Sequence, residues 1–282
     1  MRVSVIRVGP AGWSYEDWKG KVYPHPPPRG FDPLKYIAEF FGCVELNNMF
    51  YRPPAARMSE GWVRKIGSFP DFRFTAKVWQ KFTHDREGFT DRDVEEFKQG
   101  IRPLADAGKL AALLAQFPWY VEDGEEARAR IAGVAEHFSG LAPVLVEVRH
   151  RSFDTPAFLE FLVERGIGFC NIDQPASRSS ISGTRHVTGP VGYLRLHGRN
   201  REAWFRKGAG RDEKYDYLYS EEELGPQAEA ARAMAEKSPS IFVILNNHFQ
   251  GKAVVNAVVL KRLLGQAAPV PALLQSAYPE AL

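Results

Sequence analysis

The chain reads as an α/β protein, a TIM-type (β/α)8 barrel forming a single domain over residues 1–282, and three observations predict it. Short β-branched or aromatic runs alternate with helical patterns from end to end, which marks βαβ units. Eight such runs occur, the number a closed barrel needs. No linker rich in Pro, Gly or Ser interrupts them, and 282 residues suffice for one large barrel or two modest domains. An open doubly wound sheet is the alternative. The first strand is not followed by G-x-G-x-x-G and no P-loop appears, which disfavours that sheet and a nucleotide cofactor alike.

The strands are expected at residues 5–12, 43–50, 72–78, 111–117, 143–148, 167–172, 192–196 and 241–245. After the first, Asp32 offers an N-cap and Pro33 a first-turn residue. Leu34, Ile37, Ala38 and Phe41 make one apolar face, and Gly42 ends the helix. Thr155-Pro156 opens the helix after the fifth strand, with Phe158, Leu159 and Leu162 inward and Gly166 as its stop. The crossover from the sixth strand, ASRSSISGTRHVTGP, has no apolar helical face and reads as a loop with at most a short helix. After the seventh strand, GRNREAWFRKGAGRDEKYDYLYS reads as a long loop, and loops of that length are usually functional or mobile. Ser220 to Glu223 then form a capping box, and Ala253, Val254, Ala257, Val258 and Leu264 line the last helix before Gly265.

Composition sets the class. With 44% hydrophobic and 25% charged residues the chain is an ordinary globular one, neither disordered nor fibrous. The formal net charge of +3 gives no strong field, so charge alone does not argue for nucleic acid. Cys43 and Cys170 lie in apolar runs without C-x-x-C spacing and are expected as buried reduced thiols. No apolar run reaches the length of a membrane helix and the first residues lack a signal-peptide stretch, so a cytoplasmic location without membrane contact is expected.

In such a barrel the site lies at the C-terminal strand ends. Those ends are polar here: Glu45, Asn47, Lys77, Gln116, Glu147, Arg149, Asp173, Arg195, His197 and Asn246 punctuate otherwise apolar strands. Unpaired burial would cost several kcal/mol each, so they must pair with one another or face a wet pocket. Period-two alternation puts Arg195 with His197, Glu45 with Asn47, and Glu147 with Arg149 on shared faces.

Seven segments, GWSYEDWKGKVYP, VELNNMFYRPP, FRFTAKVWQKFTH, AALLAQFPW, VEVRHRSF, VGYLRLHGR and ILNNHFQGKAVVNA, together resemble the domain-of-unknown-function 72 family, often called YecE-like. The resemblance spans nearly the whole chain. It implies a (β/α)8 barrel with a polar pocket and carries no established reaction. Asn48 and Met49 stand where the family pattern more often has small hydroxyl residues, and Phe153 where it has Trp.

The residues themselves suggest several chemistries. Lys77 suits anion binding, proton transfer, a Schiff base, or a plain ion pair with Glu45 or Glu147. Glu147, Asp173, His197 and His248 are candidate ligands for a divalent metal, although no short ligand motif exists and Arg149, Arg195 and Lys77 would repel a cation. Glu45 and Glu147 suit glycoside hydrolysis if close enough, yet strands two and five lie on opposite sides of the barrel. Of Asn246 and Asn247, one is expected to bind ligand and the other to cap a turn. In the long loop, basic residues interleave with Trp204 and Phe205; this suits single-stranded nucleic acid, or a loop packing Trp204, Tyr215 and Tyr217 over the rim. Trp13, Tyr15, Trp18, Tyr51 and Trp119 fall in top-face loops as candidate pocket walls.

The leading expectation is an enzyme hydrolysing a phosphoester, in a small phosphate-containing ligand or in nucleic acid. Lys77, Arg149 and Arg195 would bind the anion, Glu45 or Glu147 act as general base, and His197 as general acid. Trp13, Asn47, Tyr51, Gln116, Asp173, Asn246 and Asn247 would hold the substrate. The alternatives are a non-catalytic barrel binding a small anion or nucleic acid, and a metal-free lyase or isomerase using Lys77.

Overall fold

The computed structural model describes residues 4–181 and 183–282. Its strands are β1 (Val5–Pro10), β2 (Cys43–Leu46), β3 (Arg73–Lys77), β4 (Leu110–Gln116), β5 (Val144–Glu147), β6 (Gly168–Asp173), β7 (Gly192–Leu196) and β8 (Ser240–Leu245). All pair in parallel, in the order β1-β8-β7-β6-β5-β4-β3-β2. Between β1 and β2 the seam is closed by the Ala11–Glu45 bridge and by the Gly12 amide, which donates to the Glu45 carbonyl at 2.9 Å. This is the expected (β/α)8 barrel. Gly9 permits the close approach, since a Cβ there would run into the Cys43 carbonyl oxygen.

The helices are α1 (Pro33–Phe40), α2 (Ala56–Lys65), α3 (Asp91–Asp106), α4 (Glu125–Phe138), α5 (Pro156–Glu164), α6 (Arg201–Phe205), α7 (Arg211–Lys214), α8 (Glu221–Ala235), α9 (Lys252–Leu263) and α10 (Ala272–Ala277). Their starts follow from local chemistry. The Asp32 carboxylate accepts from the Leu34 and Lys35 amides at 3.0 and 3.1 Å, Thr155 accepts from the Phe158 amide at 3.3 Å, and Ser220 and Glu223 form the capping box.

Alternation along the strands sorts the apolar side chains into two cores. One lies inside the barrel and includes Ala11, Cys43, Ala112, Leu114, Leu145, Cys170, Ile172, Tyr193, Phe242 and Ile244. The other, larger core fills the space between strands and helices. Both cysteines are buried and free.

Several expectations change. The second strand stops at Leu46 because Asn47 already has helical backbone angles and a 3-10 turn, Asn48–Phe50, follows. The long seventh loop contains α6 and α7. The crossover from β6 to β7 has no helix among its described residues; Ser182 within it, like Met1 to Val3, lies outside them. Helix α9 is buried on more than the one expected face, with Val255, Asn256 and Val259 enclosed as well. No helix is long and apolar enough to cross a membrane, among the described residues.

Candidate active site at the barrel mouth

Buried charge is concentrated where β2, β5 and β7 end. Glu45, Glu147 and Arg195 are at most 1% exposed. Arg195 donates one guanidinium nitrogen to Glu45 Oε1 at 2.7 Å and the other to Glu147 Oε2. Arg149, two residues beyond Glu147, folds back to donate Nε and Nη2 to Glu147 Oε1 at 3.0 and 2.8 Å. Tyr193, two residues before Arg195, donates to Glu45 Oε2 at 2.8 Å, so Thr75 Oγ1 donates to the Tyr193 oxygen across 2.6 Å. Strands two and five therefore do not hold their carboxylates apart; one guanidinium gathers them. Burial alone would push the Glu147 carboxyl up, but Arg195 and Arg149 beside it hold it well below the usual carboxylate range.

His197 extends the same row and is fully buried. The Asn246 amide donates to His197 Nδ1 at 2.9 Å, leaving the proton on Nε2, 3.5 Å from Glu147 Oε1. Burial outweighs that carboxylate and lowers the imidazole to about 3. The ring is neutral near pH 7, which speaks against the general-acid role the sequence suggested.

Above this layer a cavity of about 480 Å³ opens at the barrel top. Its floor comes from strand ends: Lys77, Gln116, Arg195 and Asn246. Loops supply the walls and mouth, with Trp13, Tyr15, Asn47, Phe50, Tyr51, Arg52, Arg211, Tyr215 and His248. Among the described residues no Asp or Glu lines it. Lys77 lies with Nζ 3.7 Å from the centre of the Phe50 ring. Among the described residues no carboxylate is within ion-pair distance of Lys77, so the ion pair with Glu45 or Glu147, one of the alternatives the sequence left open, does not form. Burial, then the neighbouring Arg195 charge, lowers its amine to about 7. His248 stacks on Tyr15, with centroids 4.5 Å apart, and burial lowers it to about 4.

The family model "Protein of unknown function DUF72" matches residues 7–280. The chain belongs to this family. A DUF72 protein of Thermotoga maritima MSB8 is 33% identical, with a TM-score of 0.81 over 93% of this chain and 99% of that one. One from Enterococcus faecalis V583 is 25% identical, with a TM-score of 0.82 over 95% and 98%. The UPF0759 protein YunF of Bacillus subtilis (strain 168) is 29% identical over 92% of this chain and 95% of its own length. The resemblance read from seven segments thus extends over a DUF72 barrel, and none of these names states a reaction.

Not every expected site residue reaches the cavity. Asp173 is turned away and accepts from Arg199 at 2.7–3.3 Å, Tyr219 at 2.7 Å and Gln227 at 3.2 Å. Asn247 donates to the Tyr217 carbonyl and to Asn256 Oδ1, both at 2.8 Å. Alternation explains both: Ile172, Asn246 and Arg195 are on the inward register, and Asp173 and Asn247 are each one residue off it. Glu147, Asp173, His197 and His248 consequently do not assemble as metal ligands. Among the described residues no three His, Cys, Asp or Glu side chains come together for a metal. Trp18 is no pocket wall either, being buried with its indole donating to the His248 carbonyl at 2.8 Å, and Trp119 stands 71% exposed outside the lining.

Within the seventh loop, Trp204 packs edge-on to Tyr215 at 5.7 Å and against His197 at 6.1 Å. Its arginines are largely matched: Arg199 with Asp173 and Glu223, Arg206 with Glu213, Arg211 with Asp212. Trp204 and Tyr215 thus take the rim-packing arrangement, whereas Phe205 is exposed beneath Arg201. Sequence reasoning did not single out Phe50, Arg52 or Arg211 as lining residues, because Phe50 and Arg52 stand on the turn after β2 and Arg211 in a four-residue helix, where no periodicity signals orientation, and it placed Tyr215 only over the rim. Of the family departures, Asn48 lines the cavity while Met49 and Phe153 are buried.

Proposed function

We propose that the barrel mouth binds a small organic anion, bearing a carboxylate or a phosphate. The observation that carries this reading is the sign of the lining: Lys77, Arg52 and Arg211 face the cavity, no carboxylate among the described residues does, and the neighbouring Glu45 and Glu147 are bound to Arg195. The amides of Asn47, Gln116 and Asn246 add neutral hydrogen-bonding groups, and Trp13, Tyr51 and Tyr215 add flat apolar wall, the mixture that small-ligand pockets use. Asn47 Oδ1 is buried without a partner, which favours a donor group on the ligand as well.

Anion binding is the part of the phosphoester expectation that this geometry supports. Its acid and base roles find no support, because Glu45 and Glu147 are held by Arg195 and His197 is neutral. A small ligand is favoured over nucleic acid because Trp204 and Tyr215 of the loop pack against the barrel rim and Arg199 and Arg206 are paired with carboxylates, leaving Arg211 at the cavity mouth.

Titration of the protein with pyruvate, glycerol phosphate and uncharged glycerol, read by tryptophan fluorescence, tests the reading. Saturable binding of an anion, weakened about ten-fold by Arg211→Ala and reduced by salt, is expected, with no response to glycerol. Equal responses to glycerol and the anions, or saturation by neither anion, would overturn it.

A further inference from the structure

Lys77 is a reactive group of this pocket that has no ion-pair partner among the described residues. Its Nζ reaches the cavity from the last residue of β3. Around it stand Glu45 from β2, Glu147 and Arg149 at the end of β5, and Arg195 from β7. Both carboxylates already serve Arg195, and Arg149 covers the remaining Glu147 oxygen. The close neighbour is the Phe50 face, a partner that tolerates a cation without fixing its position as a carboxylate would. His84, which contacts the edge of the same ring at 5.1 Å, is held neutral near pH 7 by burial and by the Lys77 charge.

Resting on the anion-pocket reading, we propose that Lys77 forms an imine with the carbonyl carbon of a small anionic aldehyde, ketone or oxo acid. The Lys77 ammonium first releases one proton to water, the neutral amine attacks the carbonyl carbon through the Nζ lone pair, and Nζ passes a second proton to the carbonyl oxygen to give the neutral carbinolamine. Its C–O bond then breaks, the hydroxyl leaves as water with the proton the ammonium first released, and Nζ becomes the iminium nitrogen. In sum an ammonium and a carbonyl give an iminium and water, so charge is conserved and no oxidant or reductant is consumed. Phe50 faces a cation before and after. Arg52 and Arg211 at the mouth would hold the anionic end of the molecule while its carbonyl reaches the floor. Amine reactivity near pH 7 accords with burial lowering Lys77 to about 7.

The test is borohydride trapping on the whole wild-type protein near pH 7, with pyruvate and with glycolaldehyde phosphate as probes and acetone as the uncharged comparison, followed by peptide mapping. The expected result is a reduced adduct on Lys77 with an anionic carbonyl, forming about ten-fold or more faster than on any other lysine and faster than with acetone. Lys77→Arg should abolish that adduct, and the wild-type map alone decides the matter if this variant does not fold. Parallel binding of the same probes without reductant separates the two readings. Binding without a Lys77 adduct overturns the imine and leaves the anion pocket standing. Neither binding nor adduct overturns both, and labelling spread over surface lysines with Lys77 unmodified overturns the imine.

Discussion

Arg195 shows why single residues at this barrel mouth divide into structural and available groups. Its guanidinium joins Glu45 and Glu147 across the interior, and a buried pair broken from one side leaves an uncompensated charge. Glu147→Gln is expected to destabilise the protein by about 3–5 kcal/mol, read from the denaturant midpoint. A change below about 1 kcal/mol, the size of a surface pair, would refute that structural role. Much of this layer was legible in the sequence, because charged residues in apolar strands must pair or face a pocket, and the shared parity of Arg195 with His197, Glu45 with Asn47 and Glu147 with Arg149 was readable. Their roles were not, since which carboxylate meets which cation depends on contacts across the barrel. Asp173 and Asn247 could have been set aside from parity alone, being one residue off the register of Ile172 and Asn246.

At the scale of elements, closure depends on the seam between β1 and β2. Gly9→Ala would drive a methyl group into the Cys43 carbonyl, and overpacking of this kind costs about 1–3 kcal/mol or more. Thermal unfolding should show the loss, whereas an unchanged midpoint would mean that the seam gives way easily. The loop bearing α6 and α7 carries Arg211 and Tyr215 to the cavity and is fastened through Trp204. Trp204→Ala should raise hydrogen exchange across residues 201–217 and weaken anion binding; unaltered exchange would show that the fastening lies elsewhere. Caps at Asp32, Thr155 and Ser220 were readable because capping is local chemistry. The two helices of this loop were not, because they are short and lack an apolar stripe long enough to show a period.

Across the whole molecule, acid stability follows from imidazoles held neutral. His197 stands at about 3 and His84 and His248 at about 4, with burial the largest cause for each, against 6.5 in an unfolded chain. As pH falls through about 6.5, the unfolded chain takes up protons that the folded one does not, so stability should decline steadily down to about 4. Lys77 acts in a higher window: between about 7 and 10.5 only the unfolded chain holds its proton, so this group makes stability rise with pH there. Urea unfolding at a series of pH values checks both signs, and a gain in stability from pH 6.5 down to 4 would contradict the burial of these imidazoles. Magnetic resonance of isotope-labelled Lys77, with and without sulfate, tests most directly whether the mouth is an anion pocket built around an unpaired lysine. The expected midpoint is near 7 in the free protein, moving upward when sulfate binds because the anion favours the ammonium form. A midpoint near the ordinary 10.5, indifferent to sulfate, would contradict it.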